Sequence, residues 1–263
     1  MIKAGWTVLH ILTVASLAQA ELTGEQIISK SFNRNDGDTA VSWNKMTITK
    51  GKSKKQRSFI VIGQDDSKGS QSLVRFSQPK IVAKTALLTD DDYAADSRQW
   101  LFLPADSKTI RIQSSRLGGR FVGSSLFFED MRRRPPGKDN HKLISSEKLN
   151  GVDCWVVESI PKDSSTSVYK RRRSWIHKQT LIPVQSMLYN EKGLQKVYRT
   201  KKVQKVDGIW TVMSASMANK QTGRTTDTEV LKIIYNKKLP KGLLGPNQLE
   251  NTQRESQFVQ SIQ

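Results

Sequence analysis

The chain has 263 residues, 43 Lys+Arg against 24 Asp+Glu, a formal charge of +19 and one cysteine. A single cysteine excludes an intramolecular disulfide, and an apolar fraction of 36% allows only a thin core, as in a sheet with one solvated face. Charge of this size points to polyanionic partners: nucleic acid, anionic membrane surfaces or acidic protein faces.

Residues 1–20 read as a Sec-type signal peptide. Lys3 supplies the positive start, Ala4 to Ala18 is apolar, and Ala18-Gln19-Ala20 fits the cleavage pattern before Glu21. The apolar run is shorter than the about 20 residues a spanning helix needs. Loss of Lys3 takes the mature charge from +19 to +18. No cysteine lies beside the cleavage site, so lipidation there is not expected. Export to the periplasm argues against nucleic acid and leaves phospholipid headgroups, lipopolysaccharide and acidic membrane-protein faces.

The mature chain opens with an amphipathic helix over Leu22 to Phe32, with Thr23 as its N-cap. Strand-like runs follow: Trp43 to Thr49, Arg57 to Ile62, Leu73 to Phe76 and Thr85 to Thr89, with polar loops at 51–55 and 63–69. Arg98-Gln-Trp-Leu-Phe-Leu103 and Thr109 to Gln113 form a hairpin around Pro104 to Lys108. Trp100 and Phe102 share one strand face and Leu101 and Leu103 the other, so this strand must be covered on both sides. Residues 124–131 are expected to make a helical turn before Pro135-Pro136. Further runs lie at Lys142 to Leu149, Val152 to Ser159, Val168 to His177, Ile182 to Tyr189, Gln195 to Gln204, Trp210 to Asn219 and Thr225 to Tyr235.

Such short, regularly spaced strands without βαβ alternation predict a mainly β (α+β) fold, a curled antiparallel half-barrel of about eleven strands. One or more helices would act as a lid. The domain is expected over residues 21–244. Residues 245–263 read as a polar tail, frayed or disordered.

The segment Trp100-Leu-Phe-Leu-Pro104, the basic return strand, Arg120-Phe-Val-Gly-Ser124 and Phe128-Glu-Asp130 together resemble the outer-membrane lipoprotein-sorting proteins, periplasmic relatives of the LolA and LolB carriers. Cys154-Trp-Val-Val-Glu158, Trp175-Ile176, Tyr189 to Gly193, Asp207 to Trp210 and Thr222 to Thr226 match in order and spacing. The resemblance spans roughly Leu73 to Leu249. It departs at Ser124-Ser125, where the family often has Ser-Asp, and in the added basicity of Arg132-Arg-Arg134.

Catalytic signatures are lacking in the sequence. His141 and His177 have no ligands at metal spacing, and there is no Gly-x-Ser-x-Gly elbow or phosphate-binding glycine loop. Asp90-Asp-Asp92 with Asp96 lacks the calcium-loop register and reads as a solvated loop. Cys154, inside a strand-like run, reads as a small buried apolar residue. No enzyme activity and no cofactor are expected.

The resemblance implies a periplasmic carrier of an acyl-chain lipid or lipoprotein, taking cargo from an inner-membrane transporter, RND-type among the candidates, toward an outer-membrane acceptor. Candidate lining residues are Trp43, Phe59, Val61, Phe76, Leu87, Trp100, Phe102, Ile110 and Ile112. The Trp100 and Phe102 face is favoured, because Leu101 and Leu103 would pack against helices. Arg132, Arg133, Arg134, Lys170, Arg171, Arg172 and Arg173 form the candidate docking patch for an anionic membrane or transporter. The alternative is a non-catalytic basic adaptor that binds an envelope membrane protein without lipid and has a filled barrel.

Overall fold

The computed structural model describes residues 21–263; the proposed signal peptide lies outside the described residues. Helix α1 (Gly24–Phe32) begins where Thr23 closes a capping box. Its side chain accepts from Gln26 N at 3.2 Å and its own N–H donates to Gln26 Oε1 at 2.9 Å.

The strands are β1 (Thr39–Lys50), β2 (Ser53–Asp65), β3 (Gly69–Gln78), β4 (Ala86–Asp92), β5 (Arg98–Leu103), β6 (Lys108–Arg111), β7 (Asp139–Leu149), β8 (Val152–Pro161), β9 (Arg171–His177), β10 (Pro183–Asn190), β11 (Gly193–Val206), β12 (Ile209–Asn219) and β13 (Arg224–Tyr235). They form one antiparallel sheet of 13 strands, two more than about eleven, because every short run between turn signals joins the ladder.

Strand order is β6-β5-β4-β3-β2-β1-β13-β12-β11-β10-β9-β8-β7. The chain therefore walks from the centre to one edge, crosses to the opposite edge, and walks back until β13 pairs with β1. The strands β6 and β7 are unpaired edges, so the sheet is not closed into a barrel. The connection over residues 112–138 must bridge the whole sheet, and curling of the sheet shortens that path.

Contacts of α1 confirm the curl. Its Ile27 packs on Val157 of β8 and Ile176 of β9, while its last carbonyl, at Phe32, accepts 2.5 Å from Arg133, whose guanidinium also pairs with Asp65 at the end of β2. Flat strands spaced about 4.8 Å apart could not bring β8 and β2 to one short helix. Gly24 permits the close seating of α1, since a Cβ there would lie 2.7 Å from the backbone of His141 and Leu143.

Strand alternation then assigns the two faces. The inner face carries Met46, Ile48, Phe59, Val74, Phe76 and Leu87, covered by Leu117, Phe121 and Phe128 of the connection. The outer face carries Val41, Ile62, Leu73, Ala86, Leu88 and Phe102, covered by Leu243, Leu244, Leu249 and Phe258.

The tail expected to fray is ordered. Residues 253–261 form α2 (Gln253–Ser261), and Phe258 is buried against the outer face. Glu255 on the same helix meets Arg75 of β3 at 2.8 Å, both side chains buried. The polar composition of the tail hid this because one of its anchors is a carboxylate whose partner lies 180 residues away.

The acidic run at 90–92 is likewise no solvated loop. It ends β4, and Asp91 is buried, accepting the backbone N–H of Arg133 at 2.7 Å.

Candidate functional site: the covered inner face

The segment between β6 and β7 is a lid laid across the inner face. Val122 and Gly123 are both left-handed (φ 47° and 73°), turning the chain sharply so that Arg120 bridges to Phe127. Ser124 Oγ donates 2.7 Å to Phe121 O, closing the turn. Ser125, where the resembled family often has Asp, is buried. Its Oγ donates 2.6 Å to Met217 O, and its N–H donates 2.8 Å to Thr226 Oγ1. The turn is thus fastened to β12 and β13.

Apolar contact runs along the lid from one half of the sheet to the other. Phe59 and Phe76 lie 5.3 Å apart between ring centroids, Phe76 and Phe121 5.6 Å, and Phe121 and Phe128 6.0 Å. Phe127 reaches the other half, stacking on Tyr169 and packing with Leu188 and Met217.

Buried charge clamps the far end. Asp130 accepts from Phe127 N at 2.7 Å, Tyr169 OH at 2.6 Å and Lys196 Nζ at 2.5 Å. The Lys196 ammonium lies 3.1 Å from the Phe127 ring centroid and is fully buried. Burial lowers the Lys196 pKa, with Asp130 pulling the other way. Burial and the neighbouring Asp130 push the Tyr169 phenol up, so it donates as a neutral hydroxyl. Glu129 accepts from Val168 N at 2.6 Å and pairs with Arg172, which continues to Asp139 at 3.2 Å; Arg134 holds the same Asp139 at 2.7 Å.

Most of the residues read as a docking patch have carboxylate partners, in this network or elsewhere. Arg133 pairs with Asp65, Arg134 with Asp139 and Arg172 with Glu129; Arg171 and Arg173 share Glu158 at 3.0 and 2.9 Å. Lys170 reaches the exposed Glu191 at 2.9 Å. Arg132 makes no ion pair among the described residues, and desolvation lowers its pKa. Arg133, Arg134 and Arg172 tie lid and sheet together, whereas Lys170, Arg171 and Arg173 pair outside the lid and stay partly exposed.

The candidate lining residues separate onto the two faces. Phe59, Phe76, Leu87 and Ile112 are buried on the inner face with Val61 packed beside them, and Ile110, paired with Leu101, points the same way. Trp43, Trp100 and Phe102 belong to the outer face, under the C-terminal segment. The favoured Trp100 and Phe102 face is therefore the one a helix covers, and Leu101 turns toward the lid. The inner face also carries Met46, Ile48, Val74, Leu188 and Met217, which the sequence reading did not name as lining. Alternation from Phe59 and Phe76 could have found the β1 and β3 members, but those beyond β9 needed the topology.

On the outer face a cleft of about 280 Å³ remains beside α2, lined by Trp43, Ile60, Leu231 and Val259 among others. Cys154 is buried with Val156 and Trp175. Among the described residues no group of His, Cys, Asp or Glu is arranged to hold a metal ion, and no helix is long and apolar enough to cross a membrane.

The unclosed, curled antiparallel sheet is a LolA-like fold. A domain described as an outer membrane lipoprotein-sorting protein, from Vibrio parahaemolyticus, superposes with a TM-score of 0.82 at 27% identity, covering 87% of this chain and 98% of its own. A DUF1329 family protein from Desulfovibrio piger gives 0.82 at 26% identity, over 86% and 97%. A LolA superfamily protein from Nitrosomonas europaea shares the fold, with a TM-score of 0.68 at 19% identity over 86% and 98%. No curated protein matches the chain in sequence. A family model described only as "-like: Uncharacterized protein" matches residues 68–251, and the chain belongs to the family of that model.

Proposed function

We propose that this protein is a periplasmic carrier that binds the acyl chains of a lipid or lipoprotein on the inner face, in the space the lid now fills. The observation that carries this reading is the way the inner face is closed. Its apolar strip is covered by the 112–138 connection, held through side-chain bonds and ion pairs, and not by strand pairing. Such a cover can leave without breaking the sheet.

Burial of a methylene is worth about 0.8 kcal/mol, so a dozen methylenes contribute on the order of 10 kcal/mol before association costs. That is the scale needed to replace the contacts of Phe121, Phe127 and Phe128. Juxtamembrane charge adds only about 1 kcal/mol per basic residue, so acyl burial sets affinity and the excess positive charge orients docking. The reading calls for an inner-membrane donor, RND-type among the candidates, an outer-membrane acceptor and passage along an anionic membrane surface. It contains no catalytic step.

A second reading, the lipid-free basic adaptor, is favoured by one observation: the inner face is occupied by the protein's own aromatic side chains. Native mass spectrometry with lipid extraction, on mature protein purified gently from periplasm, separates the two. A co-purifying acyl-chain species is expected for the carrier. A clean apo mass, unchanged after incubation with envelope lipids, overturns it in favour of the adaptor.

A further inference from the structure

A pocket of about 260 Å³ opens at one end of the inner face, between the β1–β2 turn, the start of β13 and the lid turn. Its walls carry Lys50, Lys55, Arg57, Arg120 and Arg224, with Gly123 of the lid. The register explains the convergence. Lys50 lies directly opposite Arg224, Lys55 opposite Ile48 and Arg57 opposite Met46, so all the strand-borne cations share the inner face.

Like charges placed opposite each other in a sheet are destabilising unless something offsets them. None of the five cations forms a salt bridge among the described residues. The nearest acids along β13, Asp227 and Glu229, pair with Thr47 and Lys45 and so belong to the other face. Residues 1–20 contain no acidic side chain. The Arg57 Nε is buried without a hydrogen-bond partner. Elsewhere in the lid clamp Arg133, Arg134 and Arg172 each meet a carboxylate, which the pocket cations do not.

We propose that this pocket binds a phosphate group, with Arg57, Arg120 and Arg224 as charge-assisted donors and Lys50 and Lys55 as point charges. Guanidinium forks match phosphate oxygens bidentately. Gly123 is left-handed (φ 73°) and faces open space, a Cβ there meeting no atom within 4 Å. The inference stands apart from acyl carriage. The phosphate is either a lipid headgroup or a free oxyanion, and one set of measurements tells them apart.

Titration calorimetry with inorganic phosphate and co-sedimentation with phosphatidylcholine vesicles, with and without phosphatidic acid, are compared for the parent and three variants. Arg120→Gln and Arg224→Gln remove pocket cations; Arg120 is exposed on the lid turn, so its loss leaves the core intact. Lys238→Gln removes an exposed charge outside the pocket. Each pocket variant is expected to weaken phosphate binding about ten- to hundredfold, with Lys238→Gln unchanged. Binding to phosphatidic acid vesicles alone identifies a headgroup, whereas binding of inorganic phosphate as well identifies a free oxyanion site. The proposal is overturned if the parent binds neither probe, if both pocket variants bind like the parent, or if Lys238→Gln weakens binding equally. Phosphate binding by a protein that carries no acyl lipid would keep this site and remove the carrier reading.

Discussion

Lys196 and Asp130 form an ion pair, 2.5 Å between Nζ and Oδ2, with the lysine side chain fully buried and the aspartate nearly so. The pair joins the lid to β11, and it sits where the apolar part of the lid ends. Breaking one partner of a buried pair leaves an uncompensated charge, which costs about 3–5 kcal/mol. Asp130→Ala should lower stability by that amount in urea unfolding, and Asp130→Asn combined with Lys196→Met should recover part of it. If Asp130→Ala left the urea midpoint where it was, the clamp would be dispensable.

Ser125 tests the departure from the family pattern. Its side chain faces the Met217 carbonyl in a site without solvent. Ser125→Ala should cost about 1 kcal/mol, the worth of one hydrogen bond. Ser125→Asp should cost several kcal/mol more, because a carboxylate there is buried against a carbonyl oxygen. Equal stabilities for the two variants, measured by thermal unfolding, would show that the lid turn lifts away readily.

Arg75 is the anchor of α2. It donates to Glu255, to Leu249 O at 3.1 Å and to Lys84 O at 3.1 Å. Arg75→Ala strands the Glu255 carboxylate in the outer core, at a cost of about 3–5 kcal/mol. Limited proteolysis should then cut within residues 250–263 before the sheet is attacked; simultaneous cleavage throughout would show that α2 and sheet unfold as one unit.

Asp91 gives stability a pH dependence. Desolvation raises its pKa above the ordinary 3.8, against hydrogen bonds from Ser97 and the Arg133 backbone that lower it. The folded carboxyl holds its proton more tightly than the unfolded one, so this group's contribution is fully present below 3.8 and lost as pH rises through the folded value. Relative to the parent, Asp91→Asn should therefore gain stability between about pH 3 and about pH 7. A difference that does not change with pH would mean that Asp91 titrates like an exposed carboxylate.

Cys154 should be inert in the folded protein, since it is fully buried and burial raises its thiol pKa. Labelling by a thiol reagent is expected only at the rate of unfolding in denaturant. Fast labelling of native protein would place β8 among the mobile parts of the sheet.

Local pattern determined the ladder. Alternation in Trp43 to Thr49 and Thr109 to Gln113, turn residues such as Asn190 to Gly193, and the Thr23 cap all act over a few residues, so they are readable from sequence alone. The two-sided burial of Trp100 to Leu103 was legible for the same reason, as were the motifs that carry the family resemblance. Tertiary structure alone decided which face is inner, because strand parity has no sign until β1 pairs with β13 and the lid is laid on one side. It also decided the fate of charge. Glu255 reads as tail and Arg172 as surface, yet each has a buried partner, one 180 and the other 43 residues away. The cations opposite one another at Lys50 and Arg224 become a pocket only through register. A charged side chain carries no local mark of whether it will meet water, a counterion or a ligand; long-range pairing settles that, through desolvation that only the folded chain imposes.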